Sequence, residues 1–287
     1  MRQKIEKTIF CLLIAAPTLL AISCGTGGSG GSTGNSGIGQ TGSTARFAIA
    51  GNVLYTLSTR PKSGPATPPE PSSWQYAVSG DPIIRTFDIA TPTIPVMSAD
   101  VPVQARPETL FSNGNQLFVG TLTGMEMYDL SEPLKPRFLS LVQHVRACDP
   151  VVTEGTTAYV TLRSGGGCFN AENVLEIIDF KDPIKPIKLT RFTMNAPFGL
   201  AVHDGRAFIC DGPAGLRILD VKDQTHIQDL PSVSEEICTD VILNGEHLIT
   251  TGFTGIAQYD VSQLPPRKLS VIAATDPRSS GTTKSTP

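Results

Sequence analysis

Apolar residues alternate with other residues in short bursts along this chain, and five of the bursts end on aspartate. They are Ile84-Arg85-Thr86-Phe87-Asp88, Met125-Glu126-Met127-Tyr128-Asp129, Leu175-Glu176-Ile177-Ile178-Asp179, Leu216-Arg217-Ile218-Leu219-Asp220 and Ile256-Ala257-Gln258-Tyr259-Asp260. A period of two over five residues predicts a β-strand. The aspartates are 41, 50, 41 and 40 residues apart. A strand-rich repeat of about 40 residues is the pattern of a propeller blade.

Upstream of each burst lies a glycine-containing turn between apolar runs: Ala50-Gly51-Asn52, Asn113-Gly114, Glu154-Gly155, Asp204-Gly205 and Asn244-Gly245. Glycine accepts positive φ without steric cost, so these predict hairpins of the X-Gly type. A fourth strand follows each aspartate, as in Arg137–Val142 and Lys268–Ile272. The expected fold is all-β: a five-bladed β-propeller with four antiparallel strands per blade. An open ring would leave two apolar sheets wet, so the five blades are expected to close. The repeated aspartate is read as a turn cap, its carboxylate accepting backbone N–H bonds. A calcium role is disfavoured because no D-x-D-x-D-G loop is present.

Gly215-Leu216-Arg217-Ile218-Leu219-Asp220-Val221 resembles the core of the LVIVD repeat family. Glu126 to Pro136, with its D-x-S-x-P-x-x-P ending, and Glu176 to Pro186 are similar to the same repeat, while the copies at Asp88 and Asp260 are looser. The resemblance implies a β-propeller of bacterial and archaeal surface proteins, mostly without a defined activity. It supplies no catalytic or binding residues.

The first residues read as a targeting segment. Arg2, Lys4 and Lys7 precede an apolar run from Ile9 to Leu20, too short to span a bilayer as a helix. Leu20-Ala21-Ile22-Ser23-Cys24-Gly25 resembles a bacterial lipobox, with Ala21 where leucine is usual; the resemblance implies acylation of Cys24. The organisation expected is a signal peptide over 1–23, a Gly/Ser/Thr-rich tether over 24–43, the propeller over 44–275 and a disordered tail over 276–287. That makes the protein exported and lipid-anchored in the cell envelope. Gly25, where an aspartate would mark inner-membrane retention, points to the outer membrane. After cleavage the charge balance is 20 basic against 25 acidic residues, which argues against nucleic acid.

Beyond Cys11 and Cys24, four cysteines remain, and an even number in an exported chain predicts two disulfides with three pairings open. The repeat register lets Cys148 close on Cys168 within blade 3, and lets Cys210 of blade 4 reach Cys238 of blade 5. No C-x-x-C or H-x₃-H spacing occurs, and neither a metal nor a cofactor is expected.

In a propeller, the loops leading into the first strand of each blade and those after the second gather on one face. The register places Arg106, Glu108, Arg146, Asp149 and Phe198 there from the approach loops. It adds Phe169, Asp211 and Phe253 from the others. Two stretches break the repeat rhythm on that face: a proline-rich insert at 60–81, carrying Trp74 and Tyr76, and a loop at 163–173. These residues form the candidate binding face, and the expected function is binding of a protein or glycan partner by a monomeric ring. No catalytic residue is assigned, since no nucleophile elbow, zinc helix or nucleotide loop is present. The alternatives are an extracellular carbohydrate-active hydrolase or lyase using acidic residues such as Glu108, Asp149 and Asp240, and a structural part of an envelope assembly.

Overall fold

A computed structural model describes residues 44–61, 80–144, 150–165 and 168–274, with backbone alone for Pro61, Gly165 and 168–171. It contains five four-stranded antiparallel sheets, each in sequence order. Blade 1 is β1 (Phe47–Ala50), β2 (Val53–Pro61), β3 (Gly80–Asp88) and β4 (Val96–Pro102). Blade 2 is β5 (Pro107–Asn113), β6 (Gln116–Thr121), β7 (Gly124–Asp129) and β8 (Arg137–Gln143). Blade 3 is β9 (Val151–Glu154), β10 (Thr157–Gly165), β11 (Cys168–Asp179) and β12 (Ile187–Thr193). Blade 4 is β13 (Leu200–His203), β14 (Arg206–Cys210), β15 (Leu216–Asp220) and β16 (Gln228–Val233). Blade 5 is β17 (Asp240–Asn244), β18 (His247–Gly252), β19 (Gly255–Asp260) and β20 (Arg267–Ala273). The protein is a five-bladed β-propeller.

In every blade but the fourth, the first hairpin differs from its expected form by one residue. Asn113 pairs with Gln116, so the turn is Gly114-Asn115, and Glu154 likewise pairs with Thr157. In blades 1, 2, 3 and 5 the glycine comes first and has φ of 55–60°, while the residue after it stays at negative φ. That is a type II′ turn. Blade 4 alone has the expected X-Gly order, with Asp204 at φ 51° and Gly205 at 65°, a type I′ turn. The stretch 163–173 is not a loop but an extension of a hairpin. Its ladder continues through Ser164–Phe169 and Gly165–Cys168 after a bulge.

Each pentad aspartate caps its turn in the same way. The Oδ1 atoms of Asp88, Asp129, Asp179, Asp220 and Asp260 accept the N–H of Ala90, Ser131, Lys181, Lys222 and Ser262, at 2.8–3.0 Å. This i to i+2 bond satisfies a donor as the chain leaves the strand. The loop it shapes then serves the preceding blade. Tyr55 Oη and Thr86 Oγ1 of blade 1 donate to the carbonyls of Pro133 and Leu134, both at 2.9 Å. Ser140 of blade 2 donates to the Pro183 carbonyl at 2.6 Å.

Four seams between successive blades are built on one plan. The second strand sends Tyr55, Phe118, Tyr159 or Phe208 forward into the next blade, and each is buried. The third strand adds Ile84, Met125, Leu175 or Leu216, also buried. The receiving faces present Leu110, Val151, Leu200 or Val241 from the first strand, again buried. The seam between blades 4 and 5 carries the Cys210–Cys238 disulfide as well, with Cα atoms 5.3 Å apart. In the loop-entropy model a bridge over 28 residues contributes roughly 3 kcal/mol. The expected Cys148–Cys168 partner lies outside the described side chains.

The capping aspartates predict acid sensitivity. The Ser262 hydroxyl, the Ser262 N–H and Arg267 pull the Asp260 carboxyl from its ordinary 3.8 down to about 2. Asp129 is lowered likewise by Ser131 and Arg137. A lowered native pKa stabilises above the unfolded value and is lost as pH falls through the native one. The urea midpoint is therefore expected to hold at pH 5 and drop between about pH 4 and 2. Asp260→Asn, which keeps an acceptor oxygen but cannot ionise, is expected to flatten part of that drop. A wild-type midpoint equal at pH 2 and pH 5 contradicts this assignment.

Candidate functional site

The face formed by the approach loops is held in place from beneath by buried carboxylates. In blade 2, Glu126 of β7 is buried and accepts the N–H groups of Gln104 and Ala105 at 3.0 and 3.3 Å. Tyr128 Oη donates to it at 2.6 Å. Burial raises the Glu126 pKa, and these three donors only partly oppose the rise. In blade 4, Asp211 accepts the N–H groups of Asn195 and Ala196, both at 2.9 Å, and the Arg217 guanidinium at 3.3 Å. In blade 5 the polarity reverses, because the carboxylate sits in the approach loop itself. Glu236 accepts from Thr250 at 2.7 Å, from Lys268 at 3.1 Å and from the Tyr259 hydroxyl. Burial pushes the Glu236 pKa up, but the three donors outweigh it and hold the group below its ordinary range. Blade 3 buries Glu176 against Lys188 at 3.1 Å and Arg191 at 2.9 Å.

Sequence reasoning passed over Glu126 and Glu176. The signal was present in Met125-Glu126-Met127 and Leu175-Glu176-Ile177, where a charge interrupts an apolar pentad. A charge at such a place needs partners to survive burial.

On the face itself, three of the expected residues meet a fourth between blades 2, 3 and 4. Arg106 and Glu108 form an ion pair at 3.0 Å. The Arg163 guanidinium lies 4.2 Å from the centre of the Phe198 ring. Burial lowers the Arg163 pKa, and the Glu108 charge opposes that. Thr161 of β10 donates to the Phe198 carbonyl at 2.8 Å, fixing the ring's backbone. The result is a guanidinium stacked on an aromatic face near an ion pair, an arrangement suited to polar and planar groups.

Phe253 stands apart in the turn between β18 and β19 and is 89% exposed. Asp240 Oδ2 accepts a hydrogen bond from Thr44 at 2.6 Å. Gly199, just before β13, donates to the Thr239 carbonyl at 3.0 Å. A Cβ there would lie 2.0 Å from Asp240 Oδ1, so only glycine lets these approach loops meet.

Asp211 is corrected. Its place after the second strand put it among the exposed residues, but it is fully buried, with its carboxylate occupied by the blade 4 approach loop. Trp74, Tyr76, Arg146, Cys148 and Asp149 lie outside the described residues, as do Cys24 and the side chains of Cys168 and Phe169. Among the described residues, no group of three or more His, Cys, Asp or Glu side chains is placed to hold a metal ion. On the opposite face a hollow of about 340 Å³ is lined by Glu154, His203, Arg206 and Glu246. Glu154 is occupied there by the N–H groups of Asp204 and Gly205 at 2.6 and 3.1 Å.

No family model matches this chain, and no curated protein matches it. Solved structures do. The periplasmic gluconolactonase of Pseudomonas aeruginosa aligns with a TM-score of 0.56 at 10% identity, over 78% of this chain and 68% of its own. A putative 6-phosphogluconolactonase from Bacteroides fragilis gives 0.53 at 12% identity, with coverage of 78% and 68%. The computationally designed Ika8 protein gives 0.54 at 11% identity, and this chain spans 60% of its length. At these identities the likeness is one of fold.

Asp211→Ala separates a structural role from a binding one. Removing the carboxylate leaves the Asn195 and Ala196 N–H groups unpaired and takes one acceptor from Arg217, which Asp229 still holds at 2.7 and 3.0 Å, and is expected to destabilise the protein by about 3 kcal/mol. Asp211→Asn is expected to recover only part of the loss, because it keeps an acceptor and loses the charge. Urea unfolding measures both. A stability unchanged by Asp211→Ala overturns the assignment.

Proposed function

We propose that this protein is an exported, lipid-anchored member of the LVIVD-repeat propellers whose loop face binds a protein or glycan partner. The observation that carries the binding reading is the pinned loop face with Arg163 stacked on Phe198 beside Arg106–Glu108. Its backbone is fixed by buried carboxylates, so little ordering is left to oppose binding. Phe253 supplies a large exposed aromatic on the loop side of blade 5, the residue type enriched at binding hot spots. Contact with the membrane is made through the acyl chain at Cys24 alone, and no nucleic acid is involved.

The catalytic alternative, a carbohydrate hydrolase or lyase, has support from the lactonase neighbours at the level of fold. It has less from the side chains. Glu108 is tied to Arg106, and Asp240 to Thr44 and to the Val241 N–H at 2.9 Å. Asp149, the third candidate acid, lies outside the described residues.

Two measurements test the proposal. Capture of envelope partners and a glycan array, each with wild type and with Arg163→Ala/Phe253→Ala, are expected to show binding reduced at least tenfold in the variant. Equal capture in both removes the loop face as the site. Cys24→Ser is expected to move the chain from the membrane pellet to the soluble fraction, with loss of the acylated N-terminal peptide in mass spectra. Unchanged membrane retention overturns the anchor.

A further inference from the structure

The fifth seam, where blade 5 should meet blade 1, departs from the plan of the other four. On the rear face of blade 1, Phe47 holds the place of Leu110, Val151, Leu200 and Val241. Those four are buried, while Phe47 is 52% exposed. Leu54 and Phe87 of the same face are only half-buried, although their counterparts in the other blades are sealed. The forward face of blade 5 shows the same fault. Ile256 holds the place of Ile84, Met125, Leu175 and Leu216 and is 39% exposed where they are buried. Ile249, in the column of Tyr55, Phe118, Tyr159 and Phe208, is half-buried.

Among the described residues, one forward face and one rear face of the same repeat are thus left open. In arrays of repeats, end modules are capped by polar surfaces because each module is finished only by its neighbour. Here the two end faces keep apolar residues at the columns used for packing. Each is the mate of the other by construction, because four internal seams join a forward face to a rear face through these columns. A hydrogen bond from Thr44 to Asp240 already joins the two approach ends, yet the packing columns outside it stay exposed.

We infer that a second copy of this chain occupies these faces, the forward face of blade 5 in one copy packing on the rear face of blade 1 in the next. The contact is head-to-tail, so it uses two different surfaces per chain and gives a closed ring or an open file of copies. Polar residues within the two faces suit a reversible association. Arg85 grips Asp100 at 2.7 Å on the blade 1 face, and Gln258 stands in a blade 5 column that is otherwise Thr or apolar.

The test uses the full chain in a Cys24→Ser background, so that an acyl group cannot drive association. Sedimentation over a hundredfold range of concentration is expected to show a mass rising above the 30.5 kDa of one chain. Phe47→Glu and Ile256→Glu are each expected to weaken the rise at least tenfold with an unchanged melting temperature. Gln258→Lys, at a site already polar, serves if Ile256→Glu fails to fold. Mixing the Phe47→Glu and Ile256→Glu chains restores one intact pair of faces, so a 1:1 species of about twice the single-chain mass is expected. Wild type that stays at one chain's mass overturns the inference. So does either variant associating alone as strongly as wild type, or a mixture that stays monomeric.

Discussion

A four-stranded antiparallel sheet made of these sequences is apolar on both faces, and both must be covered. A single sheet cannot cover itself, so each blade depends on its neighbours to cover its faces. Burying one aromatic or aliphatic side chain contributes roughly 1.5–3 kcal/mol. Each internal seam buries several, with Tyr55, Phe118, Tyr159 and Phe208 as the forward-pointing members of their column. The polar contacts across the seams follow from that packing. The loop after each third strand lies against the blade behind it, so Tyr55, Thr86 and Ser140 find carbonyls of Pro133, Leu134 and Pro183 within reach. The aspartate cap gives the loop a fixed shape, which is why the cap recurs wherever the pentad does.

The buried carboxylates solve a different problem. An approach loop enters the sheet from the loop face with backbone N–H groups that no ladder pairs. Left unpaired in a buried corner, each would cost about 1–3 kcal/mol. Glu126 and Asp211 accept two such groups each, from different strands and different distances along the chain. Glu236 reverses the arrangement by placing the acid in the loop and the donors on the sheet. The need is common to the blades, but the residue that meets it is local. A pattern repeated every 40 residues therefore does not contain it.

That distinction sets how much could be read from the chain. The pentads, their aspartate caps and the fourth strands carry the repeat, so blade number and strand order were legible. The Cys210–Cys238 bridge was legible too, because register alone brings those positions together. The turns were displaced by one residue because Asn-Gly and Gly-Asn pairings differ in φ, not in composition. The 163–173 stretch read as a loop from its glycines, whereas ladder pairing to β11 overrides that local preference. Asp211 was misplaced because register gives a strand end but not the direction in which a side chain turns. The fifth seam left its own trace in the sequence, unread: Ile249 breaks a column of four aromatics, and Gln258 enters a column of Thr, Met and Ile.

Those two substitutions bear on why the open seam is not simply a failed one. A blade 5 face identical to the other four would be an aromatic and aliphatic sheet in water, a surface prone to indiscriminate aggregation. Exchanging the aromatic for isoleucine and an apolar residue for glutamine lowers the gain from burial while keeping the shape of the column. On the opposite end, Arg85 and Asp100 place a bidentate ion pair, with bonds of 2.7 and 3.1 Å, in the cross-strand row of Phe47, with Thr56 between. Such an ion pair tolerates solvent and is worth little when exposed. The two end faces are therefore intermediate in polarity between the internal seams and ordinary surface, the composition expected where an interface must form and release.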